Sequence, residues 1–413
     1  MKILFYGINF SPELTGIGKY TGEMAAWFAA QGHDVHVITA PPYYPAWKIS
    51  ENYKNSYVVE QWQGVTVYRV PLWVPDKPSG LKRIIHLASF AVFSLPTLIK
   101  QWWWKPDIIW VVEPPLVCAP AAVLSAKIIG AKSWLHVQDY EVNAAFDMGL
   151  IKGQKLRRFV ENVERWLMSC FDRVSSISGQ MLALAKNKGI TDSKIILFPN
   201  WVDISAIRPL TDVSPYRKEL GIGDDAIVAL YSGNMGGKQG LEILAEIAKI
   251  LSLNPLSPNI EFIFCGNGAG RADLEQLCQN LPHVRFLDLQ PLERLSELLG
   301  IADIHLLPQR ADAADLVMPS KLTGMLASGR AVIATADLDT ELGRVVAHDA
   351  ECGLIVQPEN AQAMADAVLT LANNAGLRQK FGKNGRLYAE SKLDQDTILR
   401  KFEQQLQLLM DSK

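Results

Sequence analysis

Short apolar runs alternate with helix-spaced stretches along this chain, and midway the alternation stops and starts again. Strand, helix and strand in succession close as a parallel sheet with helices on its faces, because the crossover must return over the sheet. In the first half the expected strands are Lys2–Tyr6, Val35–Thr39, Val65–Val70, Ile108–Val112, Ser133–Val137, Val174–Ile177 and Ile195–Phe198, with helical spacing over 19–30 and 156–171. The second half repeats the pattern, with strands at 227–232, 261–265, 284–287, 304–307, 332–334 and 354–356, and helices at 241–251, 272–281, 292–302, 320–327 and 361–371. Two more helices, at 377–391 and 397–410, follow the last strand. At 413 residues the chain exceeds one ordinary hydrophobic core. Two α/β domains are therefore expected, over 1–203 and 204–385. The seam falls near 199–210, since all 11 tryptophans lie at or before Trp201. Doubly wound sheets bind ligands at the carboxyl ends of their strands, where strand order reverses, so the active site is expected in a cleft lined by both sheets.

Bulk properties narrow the function. The chain is 49% hydrophobic and 20% charged with a net charge of -2, which gives no basic footprint for nucleic acid. Five scattered cysteines and seven histidines without an HxH or HxxxH pair leave no redox pair and no expected metal site. The N-terminus, MKILFYGINF, enters a strand with no signal-peptide pattern, and the expected location is cytoplasmic. One apolar stretch, Ile84–Ile99, has 16 residues and is interrupted by His86 and Pro96, short of the ~20 a spanning helix needs. It reads either as a core helix or as a helix lying on a membrane surface, with Trp102, Trp103 and Trp104 and flanking lysines as anchors.

Four loops carry candidate chemistry. The first, after the first strand, contains Gly16 and Gly18: a plain tight turn, or a close backbone approach to a ligand. It lacks the full dinucleotide fingerprint. The second, Tyr231-Ser232-Gly233-Asn234-Met235-Gly236-Gly237-Lys238-Gln239-Gly240, opens a helix and suits a diphosphate, with Lys238 as its cation. The third, Cys265-Gly266-Asn267-Gly268-Ala269-Gly270-Arg271, repeats the turn at the same sheet edge. The fourth runs from Arg310 through Asp312 and Asp315 to Pro319-Ser320-Lys321-Leu322, with Ser320 as the expected cap. Lys321 in a first helical turn is electrostatically misplaced unless an anion binds there; the bland alternative is a solvated lysine. In the first half, His136 and Asp139 end a strand and read either as acid–base groups or as a satisfied core histidine and a helix cap.

Taken in order, the N-terminal glycine loop, PNWVD, SGNMGGKQGLE, CGNGAGR and PSKLTGMLASGRAVIAT resemble a GT-B glycosyltransferase of family 4, and the likeness spans nearly the whole chain. YGINFSPELTGIGKYTGEM, TAPPYYP and HVQDYEV resemble a subgroup that builds exopolysaccharide. The resemblance implies an α/β GT-B architecture of two Rossmann-like doubly wound parallel-sheet domains facing across a cleft, with the C-terminal helix (386–413) returning to the first domain. It implies a retaining, metal-independent transferase with no cofactor. Its donor would be a nucleotide diphosphate-sugar, a GDP-sugar such as GDP-fucose ahead of a UDP-sugar, held by the second domain. Its acceptor would be a polyprenyl-diphosphate-linked sugar at the inner face of the cytoplasmic membrane. On the same basis Lys321 and Lys238, with the amides around Gly233 and Gly237, would neutralise the leaving diphosphate. Asn234, Gln239, Arg310, Asp315, Ser320 and Leu322 would complete the donor pocket. Gly266, Asn267, Leu289 and Gln290 would border the base, and Gly16 and Gly18 the reacting sugar.

The chain departs from the family pattern twice. The usual Arg and Lys of the second loop fall on Asn234 and Gln239, and the usual glutamate pair falls on Leu316 and Gly324. The later glutamate ordinarily holds the ribose, so Asp312 or Asp315 is the expected substitute. Two other readings stand beside transfer: a non-hydrolysing UDP-sugar epimerase, and a non-catalytic nucleotide-sugar-binding partner of another transferase.

Overall fold

The computed structural model describes residues 1–13, 16–76, 79–142, 153–236, 239–311 and 319–411. They form two compact units, one of residues 1–199 and 399–413, the other of residues 200–398.

The first unit runs β1 (Lys2–Tyr6), α1 (Gly16–Ala30), β2 (Asp34–Thr39), β3 (Val58–Trp62), β4 (Val65–Arg69), α2 (Gly80–Trp104), β5 (Ile108–Glu113), α3 (Ala119–Ile129), β6 (Lys132–Val137), α4 (Gln154–Ser169), β7 (Arg173–Ser176), α5 (Gly179–Asn187) and β8 (Ile195–Leu197). The strands order as β3-β4-β2-β1-β5-β6-β7-β8, parallel except for the antiparallel β3–β4 edge. Order reverses at β1, so the loops after β1 and β5 flank the switch point. Of the β3–β4 hairpin, β4 matches the strand expected at Val65–Val70, whereas β3 was not among the expected strands. The turn residues Gln63 and Gly64 both have positive φ, as a two-residue hairpin requires, but β3 is an exposed edge strand with no buried run to betray it.

The second unit runs α6 (Pro215–Glu219), β9 (Ile227–Ser232), α7 (Glu242–Leu253), β10 (Ile260–Cys265), α8 (Arg271–Cys278), β11 (Val284–Leu287), α9 (Leu295–Gly300), β12 (Ile304–Leu307), α10 (Lys321–Ala327), β13 (Ala331–Thr335), α11 (Glu341–Arg344), β14 (Gly353–Val356), α12 (Ala361–Ala372) and α13 (Ala375–Tyr388). Its strands are ordered β11-β10-β9-β12-β13-β14, all parallel, with the reversal at β9. Two apolar clusters cover the faces of this sheet, one around Leu230 and Leu326, the other around Phe264 and Ile333.

The last helix, α14 (Gln395–Asp411), begins beside Val202, whose carbonyl accepts from the Gln395 N–H at 3.1 Å. From Leu399 onward it belongs to the first unit, where Phe402 stacks on Phe198 at 4.2 Å and meets Trp110 and Trp134 edge-on. The return therefore starts near 399, not 386. Residues 386–398 stay with the second unit because the Arg386 guanidinium donates to the carbonyls of Ile204, Ile207 and Ala327, and Leu393 is buried in that core.

The 16-residue apolar stretch belongs to a longer helix of 25 residues, α2, which continues through His86 and Pro96. Among the described residues it is the helix long and apolar enough to cross a membrane, so length does not exclude spanning. Packing argues against it. One face is committed to the sheet through buried Phe90, Ala91 and Leu98, with the Ser94 hydroxyl 2.5 Å from Tyr6 Oη and Gln101 Oε1 2.7 Å from His36 Nδ1.

Candidate active site

The second unit's switch point is built by loops that interlock through their backbones. Gly233 N–H donates to the Cys265 carbonyl and Met235 N–H to that of Asn267, both at 2.9 Å. Gly270 N–H returns a bond to the Met235 carbonyl, and Gly266 N–H reaches Leu287. A Cβ on Gly266 would lie 1.9 Å from the Gly233 carbonyl oxygen, and one on Gly268 2.4 Å from that of Met235. These glycines serve loop-to-loop approach rather than ligand approach alone. Arg271 ties the same edge, donating to Gly266 O, Asn267 Oδ1 and Asp288 Oδ1.

Lys321 lies beneath this assembly. Its Nζ donates to Tyr231 Oη at 2.9 Å and sits 4.2 Å from that ring's centroid, while Tyr231 Oη donates to the Asn234 carbonyl at 2.6 Å. A Cβ built on Gly233 would fall 3.5 Å from Lys321 Cε. Among the described residues no carboxylate pairs with Lys321, and burial pushes its pKa down to about 7. An ammonium destabilised by burial and aimed at a glycine turn is a cation waiting for an anion.

Other expected donor residues take different places. Gln239 Oε1 accepts from the Gly236 N–H at 2.9 Å, closing its own loop. Gln290 is held at both ends of its amide, accepting from Tyr216 Oη and donating to the Asp288 carbonyl, so only its main chain and stem remain to face a base beside Leu289. Arg310 faces Glu242 and Glu359. Two expectations are corrected. The Leu322 side chain is fully buried in the core rather than facing a ligand. Ser320 makes no capping side-chain bond, because its backbone is already helical. Gly237, Lys238, Asp312, Asp315 and Leu316 lie outside the described residues. At Gly324 the Cβ direction points to Leu299 and Ile207, an apolar contact in which a carboxylate has no partner.

In the first unit, the loop after β1 is fastened by Glu13. Its Oε1 accepts from the N–H groups of Tyr43 and Tyr44, each at 3.1 Å, and Oε2 accepts from Asn9 Nδ2 at 2.9 Å. Gly18 is required by this packing, since its Cβ would meet Glu13 Oε2 at 2.6 Å. Gly16 has a φ of +63° and open space around it. Buried Arg69 donates to the Ser11 and Ala40 carbonyls and pairs with Glu60, binding the loops after β1 and β2 together.

His136 proves to be the core histidine. It is 3% exposed among Trp110 and Phe198, with Nδ1 2.9 Å from Ser175 Oγ and Nε2 2.9 Å from Gln138 Nε2. Burial holds its pKa near 3, so it stays neutral within the core. Asp139 is partly exposed just beyond it. Glu141, in the same ionisable segment, accepts from Leu116 N–H at 2.7 Å through Oε2, and burial raises its pKa to about 7. Beneath these lies Glu113, fully buried at the end of β5, with neither carboxyl oxygen hydrogen-bonded among the described residues. Burial, then Glu141 and Glu164, push its pKa well above the ordinary carboxyl value.

Two Rossmann-like sheets, the second with a glycine-lined switch point and a half-buried lysine, define the GT-B class of α/β proteins. Residues 15–201 match the glycosyl transferase 4-like domain and residues 212–388 the glycosyl transferases group 1 family. The chain belongs to glycosyltransferase family 4 and is a glycosyltransferase. It is 45% identical over 409 residues to the putative colanic acid biosynthesis glycosyl transferase WcaI of Escherichia coli K12, covering 97% of this chain and 98% of that protein. Among solved structures it resembles sucrose-phosphate synthase of Thermosynechococcus elongatus (TM-score 0.79, 18% identity, all of both chains). It also resembles Anabaena HepE in complex with UDP-glucose (TM-score 0.71, 16% identity, 98% and 99% of the two chains).

Proposed function

We propose that this enzyme transfers a sugar, L-fucose from GDP-fucose, onto a polyprenyl-diphosphate-linked saccharide during assembly of a colanic-acid-type exopolysaccharide. Transfer proceeds with retention and without a metal, at the cytoplasmic face of the inner membrane. The observation that carries the reading is Lys321, unpaired with any carboxylate among the described residues and lodged against Tyr231 under Gly233. As the bond from the sugar to the β-phosphate breaks, negative charge gathers on the departing diphosphate. A fixed ammonium in a poorly solvated position stabilises that charge more than water does. The name of the Escherichia coli relative supports the exopolysaccharide setting. The UDP-glucose held by HepE supports a nucleotide diphosphate-sugar donor. On the acceptor side, Asp139 and Glu141 replace His136 as the acid–base groups, because they keep solvent contact.

Purified protein is screened against GDP- and UDP-sugars by thermal shift, then assayed with labelled donor and a membrane extract. A GDP-sugar that raises the melting temperature and passes label to lipid supports the reading; no binding by any nucleotide sugar sinks it. Lys321→Ala separates enzyme from non-catalytic partner. The enzyme loses about 10²–10³-fold in kcat, whereas a recruiting partner keeps its companion's activity.

A further inference from the structure

Helices α2, α3 and α4 lie side by side on one face of the first sheet, α2 against α3 and α3 against α4, with Trp102 Nε1 donating to Ser125 Oγ at 2.9 Å. Their inner sides are spent on the core. Their outer sides are apolar as well: Phe93 and Trp103 on α2, Leu124 and Ile128 on α3, and Phe159 and Trp166 on α4 are all exposed, Trp103 to 78% and Phe159 to 65%. On α4 these belong to a stripe at 156, 159, 163 and 166, one face of a helix. A soluble surface rarely carries so broad an apolar layer without a partner.

Charge identifies the partner. The three helices carry eight lysines and arginines, all exposed, against two glutamates. Of the two, Glu164 is buried against Lys188 and Glu161 is engaged by Arg157 at 2.8 Å. The whole chain has a slight acidic excess, 43 to 41, so this surplus is local. A second copy of the chain docking on this layer would set like charges against each other. An anionic bilayer satisfies both properties: tryptophan and phenylalanine enter the headgroup–acyl boundary, and the surrounding cations meet lipid phosphate.

We infer that the α2–α3–α4 layer as a whole, with α4 as the decisive element, seats the enzyme on an anionic phospholipid surface. The inference deepens, and rests on, the reading of a lipid-linked acceptor. The test is co-sedimentation of the full chain with vesicles of phosphatidylglycerol and phosphatidylcholine, and with phosphatidylcholine alone, without any nucleotide sugar. Wild type is expected to prefer the anionic vesicles. The exposed pair F159S/W166S and the charge pair R157E/R158E are each expected to weaken that binding about tenfold or more, with melting temperatures unchanged. Equal binding to both vesicle types, or intact binding by both pairs, overturns the inference. A dimer in sedimentation velocity that F159S/W166S dissolves also overturns it, in favour of a second copy. Transfer is scored separately with detergent-solubilised acceptor: vesicle binding without transfer overturns the transfer reading alone, and transfer without vesicle binding overturns the docking alone.

Discussion

If Lys321 meets the donor diphosphate as proposed, donor binding depends on pH. The lysine's pKa near 7 in the free protein rises when a diphosphate lies against it, because the anion favours the charged form. The complex therefore holds a proton that the free enzyme has shed above pH 7. Affinity is greatest below that value and falls as pH rises toward the higher pKa of the complex. Titration calorimetry at about pH 8 in two buffers of different ionisation enthalpy should find close to one proton taken up per nucleotide sugar bound. Lys321→Met should abolish the uptake, and an uptake that survives the substitution would refute this role. Burial moves Glu113 the other way, raising its pKa, yet the pH dependence runs in the same direction. An acid held neutral by burial contributes its full stability below its unfolded value of 4.5 and loses it as pH rises through the folded value. Glu113→Gln, neutral at every pH, should melt higher than wild type by about 2–4 °C per kcal/mol recovered. The gap should be wider at about pH 9 than at about pH 5; a gap that narrows with pH contradicts the assignment. Among the described residues the charged and titratable groups around Glu113 include Glu141, Glu164, Asp139, Lys188 and Tyr140.

Among the elements, the interlocked glycine turns are the least tolerant part of the second unit. Gly266→Ala places a methyl group inside the Gly233 carbonyl and asks for a φ of +146°, so the loops after β9 and β10 must part. The expected cost is about 1–3 kcal/mol in stability, together with a raised donor KM, since Gly233 carries the surface above Lys321. An unchanged KM would mean that the turns do not shape the donor pocket. These turns were legible in the sequence because glycine at a strand's end has few other uses, and the strands themselves because their apolar runs are buried on both faces. What sequence could not distinguish was direction. His136 and Leu322 occupy motif positions, yet their side chains turn into the core, a choice made by partners such as Phe198 that come from elsewhere in the chain. Glu13 was hidden for the same reason, because its three donors are backbone and amide groups of two separate loops. The edge strand β3 and the full 25-residue length of α2 depend on solvent exposure and sheet contact that a local pattern does not encode.

For the molecule as a whole, the last helix matters more than its length suggests. Its first turn pairs with Val202, and its later residues complete the aromatic core of the first unit. Phe402→Ala should cost about 3–5 kcal/mol and lower the melting of the first unit specifically; a matching loss in the second unit would contradict the division at 398. The chain supplies its own means of seeing this. All tryptophans but Trp201 belong to the first unit, while the proposed donor residue Lys321 belongs to the second. Indole emission is thus nearly a private signal of the acceptor-side sheet, whereas far-UV dichroism sums both. In a nucleotide-sugar titration, an emission midpoint that climbs with the dichroic one measures mechanical coupling between the halves. An emission midpoint that stays still while the other climbs measures their autonomy, with no label added to either.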